Sequence, residues 1–132
     1  MVFAQNFLLP VVVAVVTWIA TNFFADPILR FNRTRAAIYA SIYYTGNVGG
    51  PANVEEVRAA TDELRRLSAT LRSLWHTSPR VIKFYFSTMR GYNLVDAAAG
   101  LIGVSNNLNS NDGTRGKFRR SIILSLKLKG IE

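Results

Sequence analysis

Few residues in this 132-residue chain could do chemistry, and their types and spacing do not converge on a reaction. His76 is the only histidine, and there is no cysteine. A lone imidazole with no Cys, His or carboxylate at ligand spacing cannot make a typical zinc centre. Without thiols there is no disulfide framework and no thiolate ligand, which suits a reducing compartment. The eight acids include two adjacent pairs, Glu55-Glu56 and Asp62-Glu63, and both read as the solvated side of a heptad helix rather than an acid/base dyad. Gly46-Asn47-Val48-Gly49-Gly50-Pro51 is glycine-rich, but no Gly-Lys-Ser/Thr follows it and no strand precedes it, so it reads as a turn and not a phosphate loop. Gly100 and Gly103 form a GxxG without the basic context of a nucleic-acid clamp. No nucleophile elbow, zinc-binding His-Glu-x-x-His or dinucleotide fingerprint occurs. We therefore expect no catalytic residue, no metal and no cofactor.

What remains to be explained is charge. Sixteen Lys and Arg oppose eight Asp and Glu, for a net charge of +8. A balance this basic suggests nucleic acid first. Here, however, the cations are spread from Arg30 to Lys129 rather than gathered on one recognition helix, and all of them follow an apolar segment. That segment, Phe7–Phe24, is free of charge, and the uncharged run extends from Val2 to Ala25. Eighteen residues at a rise of about 1.5 Å each reach ~27 Å, close to the ~30 Å hydrocarbon core of a bilayer. A cleaved signal peptide would want basic residues before the apolar run and small ones after it. Instead Met1–Asn6 carries no basic side chain, and Trp18, Phe23 and Phe24 crowd the far end. The expected architecture is all-α: a transmembrane anchor over 1–26, then a small helical bundle over 27–132. The positive-inside rule puts the N-terminus outside and the bundle in the cytoplasm. Lipid headgroups then supply the anionic partner, and nucleic acid is disfavoured.

The elements follow in order. Asp26-Pro27 looks like an N-cap and first-turn proline, predicting a new helix set at an angle to the first and running to about Thr45. Its early turns carry Arg30, Arg33 and Arg35, and its later ones the stripe Ile38, Tyr39, Ile42 and Tyr43. With Trp18, Phe23 and Phe24, these arginines and tyrosines (Tyr39, Tyr43) are the candidate membrane-interface residues. Asn53 and Glu56 resemble a capping box opening a helix to about Trp75. Val57, Ala60, Leu64, Leu67, Leu71 and Leu74 then recur at alternating spacings of three and four, a narrow packing seam whose default partner lies in the same chain. Asp62 and Arg66 are spaced to pair across one turn. Ser78-Pro79 looks like a cap for Arg80–Arg90, a segment dense in aromatic and β-branched residues. It reads as a helix because no second strand is available to pair with it, and Phe84, Tyr85, Phe86 and Met89 either fill the core or reach the bilayer surface. Asn93 and Asp96 resemble another capping box, opening a small-residue helix to about Leu108. After the turn at Asn109–Gly113, Thr114 can cap a last helix, whose short apolar run makes it a second candidate membrane contact.

The runs PILRFNRTRAAIYASIYYTGNV, LRRLSATLRSLW and GLIGVSNNL together resemble uncharacterised bacterial single-span inner-membrane proteins with a small helical cytoplasmic part. The resemblance covers most of the chain and implies a bacterial inner membrane, and it carries over no activity, cofactor or site residue. The function expected is that of a non-enzymatic accessory, scaffold or assembly subunit of a larger membrane complex, or of a homo-oligomer. The alternative is a membrane-surface protein that binds anionic lipid through the helix after Pro27 and the C-terminal helix.

Overall fold

The structure, a computed structural model, describes residues 2–47, 54–108 and 113–129. Among them every regular element is helical: α1 (Val2–Ile19), α2 (Asp26–Asn47), α3 (Val54–Thr77), α4 (Arg80–Phe84), α5 (Leu94–Asn106) and α6 (Thr114–Leu126). Two π-helical turns occur, at Ala20–Ala25 between α1 and α2, and at Tyr85–Met89 at the end of α4.

The first π turn corrects the expectation of a new helix at Asp26-Pro27. Asp26 has helical angles, φ −63° and ψ −48°, not the extended backbone of an N-cap, and one helix runs through it. Proline at position 27 removes the N–H that would bond Phe23, and its ring crowds that carbonyl. Widening the preceding turn relieves the crowding, and the Asp26 N–H bonds Thr21 O, five residues back. Two side chains take up carbonyls near the widened turn: Thr21 Oγ donates to Thr17 O at 2.8 Å, and Asn22 Nδ2 donates to Trp18 O at 2.9 Å. The apolar segment and α2 are thus one continuous helix interrupted by a π turn, not two separately capped helices.

The bundle proper is built on α3. Its seam packs chiefly on α5 and also on α2, while α6 closes over α5. Phe31, Ile38 and Ile42 from α2 meet Leu64, Leu67 and Leu71 from α3, with Phe86, Leu101 and Ile122 completing the interior. Each fully buried side chain of this kind stabilises by about 1.5–3 kcal/mol, so the core rests on interlocked apolar faces. Phe31 is the aromatic pivot, with ring centroids 4.6 Å from Phe86 and 4.9 Å from Tyr92. Gly100 and Gly103 let α6 approach closely: a Cβ on Gly100 would lie 2.7 Å from Ile122 Cγ1, and one on Gly103 would overlap the Phe118 ring. Two hydrogen bonds cross between α3 and α5, a buried one from Ser68 Oγ to Ala98 O at 2.8 Å and an exposed one from Arg65 Nη2 to Asn106 Oδ1 at 3.2 Å.

Helix ends differ from expectation in several places. Asn93 caps α5 as read, with Asp96 N donating to Asn93 Oδ1 at 3.0 Å, but the reciprocal half of the box differs: Asp96 Oδ2 accepts from Asn93 Nδ2 at 2.7 Å, while the Asn93 backbone N–H bonds Ser125 O at 2.9 Å. Ser78 does not cap α4. Its hydroxyl turns back to Leu74 O and closes the end of α3, leaving Pro79 at the N-cap. Gly113, at φ 81°, takes the cap of α6 in place of Thr114, because the chain enters that helix through the left-handed region. Arg66 pairs with Glu63 one position closer than Asp62, at 2.7 Å, where the i,i+3 geometry lets both guanidinium edges engage. The expected cap at Asn53, the Val48–Pro51 part of the first turn and the Asn109–Asp112 part of the second lie outside the described residues.

Candidate membrane-proximal surface

The continuous helix fixes where the sequence-selected residues fall. Trp18, Phe23 and Phe24 are exposed on its side, Trp18 and Phe23 meeting edge-on at 6.3 Å. Arg30, also exposed, folds back to Asp26 at 3.1 Å. Arg33 projects beside Arg30 and Arg66 into a shallow groove of about 540 Å³ between α2 and α3. Tyr39 and Tyr43 are exposed further along α2.

Arg35 separates from this set. Its guanidinium turns toward the bundle, where Nε donates to Leu126 O at 2.8 Å and Nη2 to Lys127 O at 2.7 Å. It also lies 5.5 Å from the centre of the Tyr92 ring. The last carbonyls of a helix have no intrahelical partner, and a cation is favoured beside them. Arg35 therefore clamps the end of α6 to α2. Sequence reading placed Arg35 with Arg30 and Arg33 at the membrane interface, having no local signal for a partner 91 residues away.

The seam residues Ala60, Leu64, Leu67, Leu71 and Leu74 are buried and Val57 half-buried, facing α5 and α2 of the same chain. The acids of α3 lie on its outer side. Hydrogen bonding from Arg66 holds the Glu63 carboxyl below the usual carboxylate range, the behaviour of a surface ion pair. His76 is exposed in the last turn of α3, and among the described residues no three potential metal ligands cluster.

A second group lies where the continuous helix meets the bundle. A small cleft of about 240 Å³ brings Phe23, Asp26 and Arg30 together with Thr77 and Pro79. Pro79 starts α4, so this short helix sets out beside the end of the apolar segment, and Phe86 at its far end rests on Phe31, one turn past Pro27. Ile82 and Phe86 face inward. Val81 and Phe84 point away, 58 % and 57 % exposed, with Lys83 drawn over the Trp75 ring at 5.5 Å. An exposed apolar pair on a helix flanked by Arg80 and Lys83 is the pattern of an element lying at an apolar–polar boundary. Comparison with protein-family models, with curated proteins and with solved structures finds no match for this chain.

Proposed function

We propose that this chain is a single-span membrane protein whose bundle lies against the cytoplasmic leaflet, N-terminus outside. It works as a non-enzymatic accessory or assembly subunit of a larger inner-membrane complex or of a homo-oligomer. One observation carries the reading. The apolar helix is long enough to cross a bilayer, none of its apolar window is buried against the rest of the chain, and it is continuous with a helix that anchors the core. A core helix of a soluble domain would be covered by its own protein. This one is covered by none of the described residues outside it, and Phe7–Phe24 includes eleven Leu, Ile, Val and Phe residues. At about −0.3 to −0.6 kcal/mol each, these favour insertion by about 3–7 kcal/mol before the cost of Pro10 and the polar Thr17, Thr21 and Asn22.

Lipid contact is part of the same reading. The apolar faces that sequence assigned to the leaflet on α2 and α6 are largely spent in the core, where Phe31, Ile38, Ile42, Ile122 and Leu126 are buried. The exposed Val81 and Phe84 of α4, with Leu29, Tyr39 and Tyr43 of α2 and Leu124 of α6, are apolar and aromatic side chains available to the leaflet. Alkaline extraction and native mass in mild detergent test the proposal. The chain should stay with the membrane pellet and migrate as a complex with itself or with co-purifying subunits. A monodisperse monomer that brings nothing with it would sink the subunit reading, and release by alkali would sink the span.

A further inference from the structure

Beyond its role as an anchor, we propose that the chain holds a phosphate-binding groove on the flank of α2. The groove has a volume of about 780 Å³, within the ~300–1,000 Å³ of ordinary ligand sites. Three segments far apart in sequence deliver four cations to it: Arg35 from α2, Arg90 after the second π turn, and Lys127 and Lys129 after α6. Among the described residues no carboxylate lines it, and Asn32 and Tyr39 add neutral donors at its edge. Four like charges converging without an acid repel one another until an anion joins them.

Two of the four cations are also held in place, and a third sits on a constrained backbone. Arg35 is fixed by its two carbonyl bonds, leaving Nη1 uncommitted by them. Arg90 lies 5.7 Å from the centre of the same Tyr92 ring and donates to its hydroxyl at 3.3 Å. Lys127 occupies the left-handed region at φ 50°, alone among the described non-glycine residues. A side chain there is strained, and helices usually place glycine at such an end. Opposite it stands Gly91, also at positive φ, where a Cβ would come within 2.8 Å of Lys127 Nζ. The lysine thus sits where a glycine would be easier, and a glycine sits where its ammonium needs room. Guanidinium forks and a lysine point charge, ordered before binding, suit the tetrahedral oxygens of phosphate.

The phosphate can belong to a lipid headgroup or to a free molecule. Asn32 lies six residues past Asp26, ~9 Å along the helix, within reach of headgroups if α1 spans the bilayer. Binding of free phosphate does not need the span, so its outcome is independent of the proposal above.

The test uses the full chain in neutral detergent. Calorimetry would be run with inorganic phosphate and pyrophosphate as probes, and binding compared in phosphatidylglycerol-containing and pure phosphatidylcholine nanodiscs. Arg90→Gln with Lys129→Gln removes two groove charges and leaves the Arg35 clamp intact. Arg58→Gln with Arg72→Gln removes the same charge from the outer face of α3. Unfolding curves verify that both variants fold, and Lys127→Gln serves as a third probe. Losing two charge-assisted contacts should weaken binding by more than about tenfold in the groove variant, with little change in the control. Response to the soluble anions identifies a free phosphate ligand, and response only to anionic nanodiscs identifies a headgroup. Equal weakening in both variants, or no response of the unmodified chain to the soluble anions and to the anionic nanodiscs alike, overturns the proposal.

Discussion

At the scale of single residues, two kinds of position decide how α6 is held. The first is the glycine face of α5. A methyl group on Gly103 would overlap the Phe118 ring, and side-chain and backbone atoms of α6 must shift to make room. Overpacking of this kind costs about 1–3 kcal/mol, so Gly103→Ala should lower the unfolding midpoint, and Phe118→Leu in the same background should recover part of the loss. Gly116, in the first turn of α6, meets nothing within 4 Å, so Gly116→Ala should instead stabilise by about 0.5–1 kcal/mol. Denaturant unfolding of the two variants side by side checks both signs. The second position is Arg35. Because it bonds two carbonyls at the end of α6, Arg35→Gln should cost about 1.5–3 kcal/mol and speed amide exchange selectively over residues 124–128. If exchange there is unchanged, Arg35 is no clamp, and its place with Arg30 and Arg33 at a surface is restored.

At the scale of elements, what sequence revealed was what is local. The seam of α3 is a periodicity that any window of two heptads displays, and all six positions turn inward because alternating three-and-four spacing keeps them on one stripe. The Asn93–Asp96 box is likewise a three-residue relation. Leu71→Ala should therefore cost about 2–5 kcal/mol through the cavity it leaves, and Asn93→Ala about 1 kcal/mol through the lost cap; thermal unfolding separates the two. What sequence did not reveal depends on through-space arrangement or on competition between motifs. Asp26-Pro27 has the composition of a helix start, but a proline can also be carried inside a helix when the turn before it widens, and no residue pattern distinguishes the two. Ser78 and Thr114 fit capping rules equally well, yet Ser78 found a carbonyl of the preceding helix and Thr114 was displaced by a left-handed glycine. The four cations of the groove lie on three separate segments, and only folding places them together.

At the scale of the whole molecule, charge and shape combine into a statement about topology. Every Lys and Arg follows the apolar helix, and the helix continues from it into the core of the bundle. Helix continuity of that kind couples the bundle to the apolar segment, and a cleft lined by Phe23 and Pro79 brings the start of α4 beside that segment's end. If the apolar segment spans a bilayer as proposed, orientation is set by the basic residues nearest it, above all Arg30, Arg33 and Arg35, because charge within about 15–20 residues of a span dominates. The chain has no cysteine, so single cysteines report topology without background. Ala4→Cys should react with a membrane-impermeant maleimide in intact cells, and Ala69→Cys, exposed on α3, should react only after lysis. Replacing Arg30 and Arg33 with Gln while adding Arg at positions 2 and 4 reverses the local bias and should give a mixed population in which part of the Ala69→Cys label is reached from outside. If Ala69→Cys reacts in intact cells with all native arginines present, the bundle is not cytoplasmic, and the positive charge on its surface must serve a partner other than the inner leaflet.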